Sequence, residues 1–341
     1  GFGEYGFPES HAHSFALLAY ASSWLKCHEP ACFLAALLNS LPMGFYSASQ
    51  LVQDARRHGV RVLPIDVTVS DIDCTLEGEP EPLRPARGLG APPLPQPAVR
   101  LGLRMVSSLH ADAAKRLLQA RATGPAFAST EDLALRAQLS QQDLQALAAA
   151  DALASLSGHR RQQMWDAAAQ HSAPPLWRDV PVHEAPLQLP EAPEGEEILF
   201  DYAATGLTLR RHPLALLRPR LARWRLQTAL QLHNAAHGRK VRACGIVTVR
   251  QRPGTAKGTM FVTLEDETGP VNVIVWPAMV DVWRNALLRS QLLAVEGVWQ
   301  CSPGALGSKA MVRHLVAQRF KDLTPLLGRM AQALQGSRDF H

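Results

Sequence analysis

Residues 260–276 read MFVTLEDETGPVNVIVW, and their alternation decides the fold of the last third of the chain. In 260–264 and again in 271–275 every second position carries an apolar side chain, a pattern typical of strands that bury one face. These inward positions are Met260, Val262, Leu264, Val271, Val273 and Val275. The opposite face then carries Phe261, Thr263, Asn272, Ile274 and Trp276. We therefore predict strands at 259–265 and 271–276.

Further strands are predicted on both sides of this segment. Residues 241–247, 292–300 and 311–317 have strand-like patterns, and a helical insert is predicted at 278–288. Five strands with a helix after the third are the plan of an OB-fold, which we predict over residues 237–322.

OB-folds bind single-stranded nucleic acid across strands two and three, through aromatic stacking and basic side chains. The candidate DNA-binding residues are Arg239, Lys240, Arg242, Arg250, Arg252, Lys257, Phe261, Asn272 and Trp276. The six basic residues follow one another along the first strand and its loop, which predicts a basic rim around an aromatic platform. The alternative is that the aromatic side chains pack against a neighbouring domain and the charges are merely solvated.

The rest of the chain predicts a multidomain α+β protein, because helical segments alternate with proline-rich ones. Residues 1–76 and 99–171 are predicted to be helical domains and 198–236 a basic helical connector. Prolines interrupt 77–98 and 172–197, which we interpret as a loop and a linker. Residues 323–341 follow the predicted barrel as a tail.

Composition limits the class of protein. The 341 residues carry a net charge of +5, and 47% are hydrophobic, enough for buried cores in a mildly basic protein. Five scattered cysteines predict reduced thiols in a cytoplasmic protein rather than disulfides, and we interpret Cys27 and Cys32 as buried thiols rather than zinc ligands. No membrane span is predicted. Asp71 and Asp73 form an Asp-x-Asp pair that we interpret as solvated rather than metal-binding.

Three further segments carry a resemblance to a known family. Residues 3–17 read GEYGFPESHAHSFAL and resemble the fingers of the DnaE-type (C-family) bacterial DNA polymerases. Residues 42–47 (PMGFYS) and 337–341 (SRDFH) resemble the error-prone ImuC branch of that family. Residues 250–256 and 263–269 resemble the OB domain of these polymerases. The chain thus resembles a C-terminal part of a longer polymerase.

The resemblance implies error-prone, translesion DNA synthesis in the whole protein, during damage-induced mutagenesis. The catalytic aspartates and their Mg²⁺ ions belong to the palm of these polymerases, so we expect no catalytic residue, metal or cofactor in this chain and no activity from it alone. Ser10 and His11 would lie near the incoming triphosphate in the intact enzyme, since both can donate hydrogen bonds to phosphate. The alternative is a structural role at a helix start.

Residues 99–171 resemble the helix-hairpin-helix region of the family, where a glycine turn brings backbone N–H groups to a DNA phosphate. Here the turn reads Ser107-Ser108-Leu109-His110, and without glycine a positive φ is less favourable. We predict that His110, Lys115 and Arg116 contact DNA through their side chains instead. The alternative is a purely structural helical domain.

The resemblance also implies a protein partner. The sequence has no convincing clamp-binding peptide, which predicts recruitment by an inactive Y-family-like mutagenesis protein that carries the sliding-clamp contact. A second hypothesis follows, in which the chain is chiefly a docking platform for such partners and binds DNA weakly. Ile274, Trp276 and residues 337–341 would then form the protein contacts.

Overall fold

A computed structural model describes residues 9–44, 46–81, 95–169, 187–303, 311–334 and 338–340, with the backbone alone for 9, 10 and 338–340. The chain divides into two compact units, Gly1–Ala192 and Pro193–His341, each with its own β-sheet. None of the described helices is long and apolar enough to cross a membrane.

Three helices open the first unit: α1 (Glu9–His28), α2 (Pro30–Asn39) and α3 (Ala48–Arg57). Pro30 begins α2, where its missing N–H costs no hydrogen bond. Ser47 and Gln50 form a reciprocal capping box at the start of α3. Helix α2 buries Leu34 and Leu38, whereas α1 exposes its side chains along most of its length.

A small sheet follows, with β1 (Val62–Leu63), β2 (Thr75–Glu81) and β3 (Gln96–Arg100) in the order β1-β3-β2. Strand β1 pairs with β3 in parallel, and β2 pairs with β3 in antiparallel. The prediction of a loop at 77–98 is therefore corrected at both ends, while 82–94 lie outside the described residues. Proline does not prevent this pairing, because Pro80 lies on the edge strand β2 and Pro97 of the central strand β3 lies opposite the register shift between Glu77 and Glu81.

The remainder of the first unit is helical. A short 3₁₀ helix at Leu103–Met105 precedes five α-helices. These are α4 (Ala111–Thr123), α5 (Thr130–Arg136), α6 (Gln141–Ala149), α7 (Ala154–Ser157) and α8 (Arg160–Ala169). Their core contains the fully buried side chains of Leu117, Leu133, Leu144, Leu147 and Leu153.

The second unit opens with the helical connector. It consists of α9 (Glu194–Thr205), α10 (Pro213–Arg223) and α11 (Ala229–His233). Helix α9 begins after Pro193, so the predicted linker at 172–197 is corrected at its C-terminal end. Arg210 bonds to both Glu197 and Asp201 of α9 and fixes the start of the turn into α10.

Five strands form a closed barrel, as predicted for an OB-fold. They are β4 (Lys240–Gln251), β5 (Met260–Asp266), β6 (Gly269–Val275), β7 (Leu292–Pro303) and β8 (Met311–Asp322). The order is β5-β6-β8-β7-β4, and β4 pairs with β5 to close it. Helices α12 (Pro277–Val282) and α13 (Arg284–Arg289) occupy the predicted insert after the third strand.

The barrel has two apolar layers. Its interior contains all six inward positions predicted for β5 and β6, together with Trp299 and Phe320. A second cluster on the outer side joins Cys244 and Ile246 of β4 to Leu214 and Leu221 of the connector. The connector helices are thus packed onto the barrel wall.

The predicted tail at 323–341 also has regular structure. It contains a 3₁₀ helix at Thr324–Leu327, α14 (Met330–Ala333) and β9 (Arg338–Phe340). Strand β9 pairs in parallel with residues 249–251 of β4.

Candidate nucleic-acid interface

The outer face of β5 and β6 carries the aromatic side chains that the alternation predicts. Phe261 lies opposite Ile274 in the β5–β6 register, and Thr263 lies opposite Asn272. Trp276 follows β6 on the same side, diagonal to Phe261, a relation in which Cα atoms lie about 7–8 Å apart. Phe261 is 37% exposed and Trp276 is 52% exposed. Phe261, Asn272 and Trp276 form what we call the aromatic face.

A buried carboxylate holds the turn between β5 and β6. Asp266 accepts hydrogen bonds from the backbone N–H groups of Thr268 and Gly269 and from the Thr268 hydroxyl. Its other oxygen accepts the N–H of Ala229 at the start of α11, at 2.7 Å. Burial raises the pKa of Asp266 despite these bonds. The hairpin is therefore fixed both internally and to the connector.

The connector adds an ion pair to the same turn. The Arg218 guanidinium of α10 bonds to both oxygens of Glu267, with N–O distances of 2.5 and 2.7 Å. Burial alone would raise the pKa of Glu267, but the bonds from Arg218 lower it below its ordinary value. Bidentate pairs of this kind add geometric specificity as well as energy.

The loop between β4 and β5 brings positive charge to the aromatic face. Arg252 and Lys257 lie in this loop and are exposed. Lys257 has φ 48° and Gly258 has φ 84°. A side chain at Gly258 would lie 3.5 Å from an Arg252 nitrogen and 3.6 Å from the Pro277 ring. The guanidinium of Arg252 is thus beside the residue that follows Trp276.

The other basic residues of the predicted rim are elsewhere. Arg239, Lys240 and Arg242 lie at the opposite end of β4, about 30–40 Å from Arg252 for an extended strand. Arg242 is paired with Glu296 at 2.8 Å. The six basic residues therefore do not form one rim, which corrects the prediction.

Arg250 is corrected as well, because it is buried. Its guanidinium donates to the carbonyl oxygens of Leu287 and Ser290 at the end of α13. The reason is a β-bulge between Val247 and Val249, which inserts one residue and turns Arg250 to the side opposite from Arg242. The sequence alternation gave no sign of this bulge.

The helical domain contains two similar turns. Ser108 (φ 65°) precedes α4, and Gln138 (φ 49°) precedes α6. Each is followed by a leucine and then by the N-cap residue, His110 or Ser140. The expectation that a turn without glycine disfavours positive φ is wrong for Ser108. The second turn was not predicted, although Ser140 and Asp143 form a capping box that could have indicated it.

A buried carboxylate joins the two turns. The Asp143 side chain is 3% exposed, and its Oδ1 lies 2.8 Å from His110 Nδ1 and accepts the His110 backbone N–H. Its Oδ2 accepts the Ser140 hydroxyl at 2.6 Å. Burial raises the pKa of Asp143, but the hydrogen bonds from Ser140 and His110 outweigh it and lower the pKa below its ordinary value.

The three predicted DNA contacts of this domain differ in availability. Arg116 donates to the carbonyl oxygens of Ala137 and Gln138, so it supports the second turn. His110 is bonded to Asp143, although most of its imidazole is exposed. Lys115 is exposed and pairs with Asp112 on the same helix at 3.2 Å. Of the three side chains, that of Lys115 is the most exposed.

The remaining predicted residues lie in the first unit. His11 is exposed on α1 and its ring packs on Phe15, with centroids 4.4 Å apart. The side chain of Ser10 lies outside the described residues. Asp73 pairs with Arg104 at 2.7 Å, and Asp71 bonds to the backbone of Ile72.

The described residues contain no group of three or more side chains that could hold a metal ion. The described residues therefore do not fit a catalytic Mg²⁺ site. Cys74 and Cys244 are buried, and burial raises the pKa of Cys244 to about 12. Cys27 and Cys32 are exposed, which corrects the prediction that these two thiols are buried.

Comparisons with known proteins agree with this architecture. The family model for a helix-hairpin-helix motif matches residues 59–163. The model for an OB-fold nucleic acid binding domain matches residues 241–323. Among solved structures, a mitochondrial single-stranded DNA binding protein of S. cerevisiae, Rim1, aligns with 25% of this chain and 94% of its own, at 16% identity and a TM-score of 0.21. That likeness is too distant to support an argument.

Together the two matched domains define a chain of the nucleic-acid-binding class. The error-prone DNA polymerase of Bordetella parapertussis is 56% identical over the whole chain, which spans 31% of that relative. The error-prone DNA polymerase of Ralstonia nicotianae is 55% identical, with 30% of its length covered. Over its whole length the chain is thus similar to error-prone DNA polymerases, and it spans about a third of the length of the curated relatives it matches.

Proposed function

We propose that the chain is the DNA-binding portion of an error-prone DNA polymerase and that its aromatic face holds the single-stranded template. The observation that carries this proposal is the exposed pair Phe261 and Trp276 beside Arg252, on the two strands with which OB-folds bind single strands. The Arg252 guanidinium forms no ion pair and no hydrogen bond with the described residues.

The chemistry of this face suits a single strand. Bases that are not paired expose their planar surfaces, which stack on aromatic side chains for about 1–3 kcal/mol per base. Arg252 and Lys257 supply positive charge for the phosphates between such bases. Asn272 can donate or accept a hydrogen bond at a base edge. Because stacking tolerates any base, the face would suit a polymerase that must accept damaged templates.

In the whole protein the activity would be DNA-templated nucleotidyl transfer during damage-induced translesion synthesis. The carboxylates that hold catalytic Mg²⁺ would lie outside this chain, and Ser10 and His11 would lie near the incoming triphosphate. Lys115, with support from His110, would meet the duplex backbone.

Docking to protein partners is the second candidate, and α1 favours it. Its exposed apolar side chains are Phe15, Leu17, Leu18, Tyr20, Trp24 and Leu25. Apolar patches of this kind mark protein contacts. The remainder of the polymerase would cover this helix, and an inactive Y-family-like protein that carries the sliding-clamp contact would be a further partner.

Fluorescence anisotropy with labelled single-stranded and primer–template DNA tests the main proposal at two salt concentrations. The native 341-residue chain should bind the single strand, and binding should weaken as salt rises, because bound cations displace counterions from phosphates. Phe261→Ala should weaken binding about 5- to 150-fold, equivalent to one lost stack. Arg252→Gln should reduce the slope of log K against log salt by about 0.7.

Trp165→Ala is the matched control, since Trp165 is an exposed aromatic residue of α8 in the other unit and is 52% exposed. It should leave binding unchanged. Equal affinities for Phe261→Ala and the native chain would remove the aromatic face as the binding site. No binding to either DNA would favour the docking function instead.

A further inference from the structure

A second basic surface lies on the barrel where α10 ends near β8. It consists of Arg220, Arg223, Trp224, Arg225, Arg319 and Lys321, and we call it the Trp224 patch. None of these residues was singled out as a DNA contact by the sequence pattern of the barrel. All six are exposed.

The indole of Trp224 organises the patch. Its ring is 39% exposed and lies between two cations of different elements. The guanidinium of Arg220 is 5.4 Å from the ring centroid, and the ammonium of Lys321 is 5.5 Å from it. Cations at this distance are attracted to the aromatic ring, which restricts two long side chains to a small area. The two charges are therefore held close together before any ligand binds.

The positive charge of the patch is not neutralised within the described part of the chain. No carboxylate there lies within ion-pair distance of Arg220, Arg223, Arg225, Arg319 or Lys321. Glu296 lies opposite Arg319 in the β7–β8 register, but its carboxylate is bonded to Arg242. Uncompensated cations on one surface attract polyanions and raise their local concentration.

Strand β8 connects the patch to the aromatic face. Ile274, the cross-strand neighbour of Phe261, pairs with Val316 of β8. From Val316 the strand runs five residues to Lys321, so the path from Phe261 to the patch is about 20 Å. A stacked nucleic-acid strand rises about 3.4 Å per nucleotide, which makes this distance about six nucleotides.

We propose that a single DNA strand bound at the aromatic face continues along β8 to the Trp224 patch, where Arg220 and Lys321 bind its phosphates. The inference rests on the proposed function and extends it by a second contact region. Protein-binding surfaces are depleted of charge at their centre, whereas here one exposed ring contacts two cations, and three further arginines lie on the same elements. A phosphate backbone with accessible bases fits that arrangement better than a protein surface does.

The experiment compares oligothymidylates of about four and about twenty nucleotides, because one OB-fold binds about 4–16 nucleotides and the shorter strand cannot span the distance of about six nucleotides to the patch. The native chain should bind the long oligonucleotide more tightly than the short one. The charge-reversal variant Arg220→Glu/Lys321→Glu should lose this gain and reduce the salt slope for the long oligonucleotide by about 1.4, corresponding to two phosphates. Its binding of the short oligonucleotide should stay close to native.

Arg284→Glu/Arg289→Glu provides the same change of charge at exposed positions of α13 and should retain most of the length dependence. Phe261→Ala should weaken binding at both lengths. Equal losses in the two charge-reversal variants would mean that net charge alone matters and would overturn the Trp224 patch as a site. So would unchanged binding in Arg220→Glu/Lys321→Glu. If the native chain binds neither oligonucleotide, the proposed function fails first.

Discussion

The barrel and the helix-hairpin-helix domain use their polar side chains in opposite ways. On the aromatic face of the barrel, Arg252 lies at the surface without an ionic partner in the described chain. The rings of Phe261 and Trp276 are exposed beside it. In the helical domain, Arg116 and Asp143 form hydrogen bonds with backbone groups of two turns that have no glycine. The comparison shows that a basic residue of a helix-hairpin-helix motif can stabilise a turn of that motif through hydrogen bonds to its backbone.

Breaking the β7–β8 pairing of the barrel should have the largest effect on the free energy of unfolding. A side chain at Gly297 would overlap the carbonyl oxygen of Val316, so the β7–β8 ladder would have to separate. Gly297→Ala should lower the free energy of unfolding of the barrel by about 3 kcal/mol or more. Hydrogen exchange should accelerate in residues 292–322 and not in α4.

Gly254→Ala is the control for this change, because no heavy atom lies within 4 Å of the added carbon. Unaltered exchange in Gly297→Ala would show that the barrel can absorb a side chain at this crossing. DNA affinity should fall with barrel stability if the aromatic face depends on closure.

Arg116 tests the opposite side of the comparison. Arg116→Ala leaves the carbonyl oxygens of Ala137 and Gln138 without their charged donor and should cost about 1.5–3 kcal/mol in unfolding free energy. Lys115→Ala, one residue earlier, should cost less than about 0.5 kcal/mol. Urea unfolding followed by circular dichroism measures both. A stable Arg116→Ala variant with weakened duplex binding would instead identify Arg116 as a DNA contact.

Substitution of Asp143 should give the smallest change in the free energy of unfolding, and this change should depend on pH. Since the folded protein lowers the pKa of this carboxyl, its ionisation stabilises the fold above the unfolded pKa and the benefit disappears as pH falls through the folded pKa. Asp143→Asn should therefore cost about 1 kcal/mol at pH 7 and progressively less below about pH 4.

Thermal unfolding of the native chain and of Asp143→Asn across pH 3–7 would measure the difference, with Asp112→Asn as an exposed control. A difference that does not vary with pH would mean that the shape of residue 143 matters and its charge does not.

The barrel could be predicted from sequence because the pattern that indicates each strand lies within that strand. Strands such as β5 and β6 alternate with period two, and that alternation fixes which side chains face inward. Arg250 escaped prediction because a bulge depends on pairing with another strand. The second turn of the helical domain escaped because Gln138 carries no glycine signal. For Arg250 the deciding contact is distant in sequence, whereas the capping box of Ser140 and Asp143 gave the second turn a local signal.

The site could be predicted only in part for the same reason. Phe261, Asn272 and Trp276 follow directly from strand alternation, and the structure exposes all three. Arg239 and Arg252 are both close to β4 in sequence, yet the length of the strand separates them. The Trp224 patch joins α10 to β8, about a hundred residues later, and no spacing along the chain indicates it.

The short strand β9 has a consequence for self-association. Residues 249–251 of β4 pair with β5 on one side and extend beyond the end of β7, so β9 is what fills their other side. Without it, the N–H and C=O groups of this segment would form an open sheet edge. Such an edge can accept a strand from another molecule. Pairing with β9 thus occupies backbone groups that would otherwise be open to a strand of another molecule.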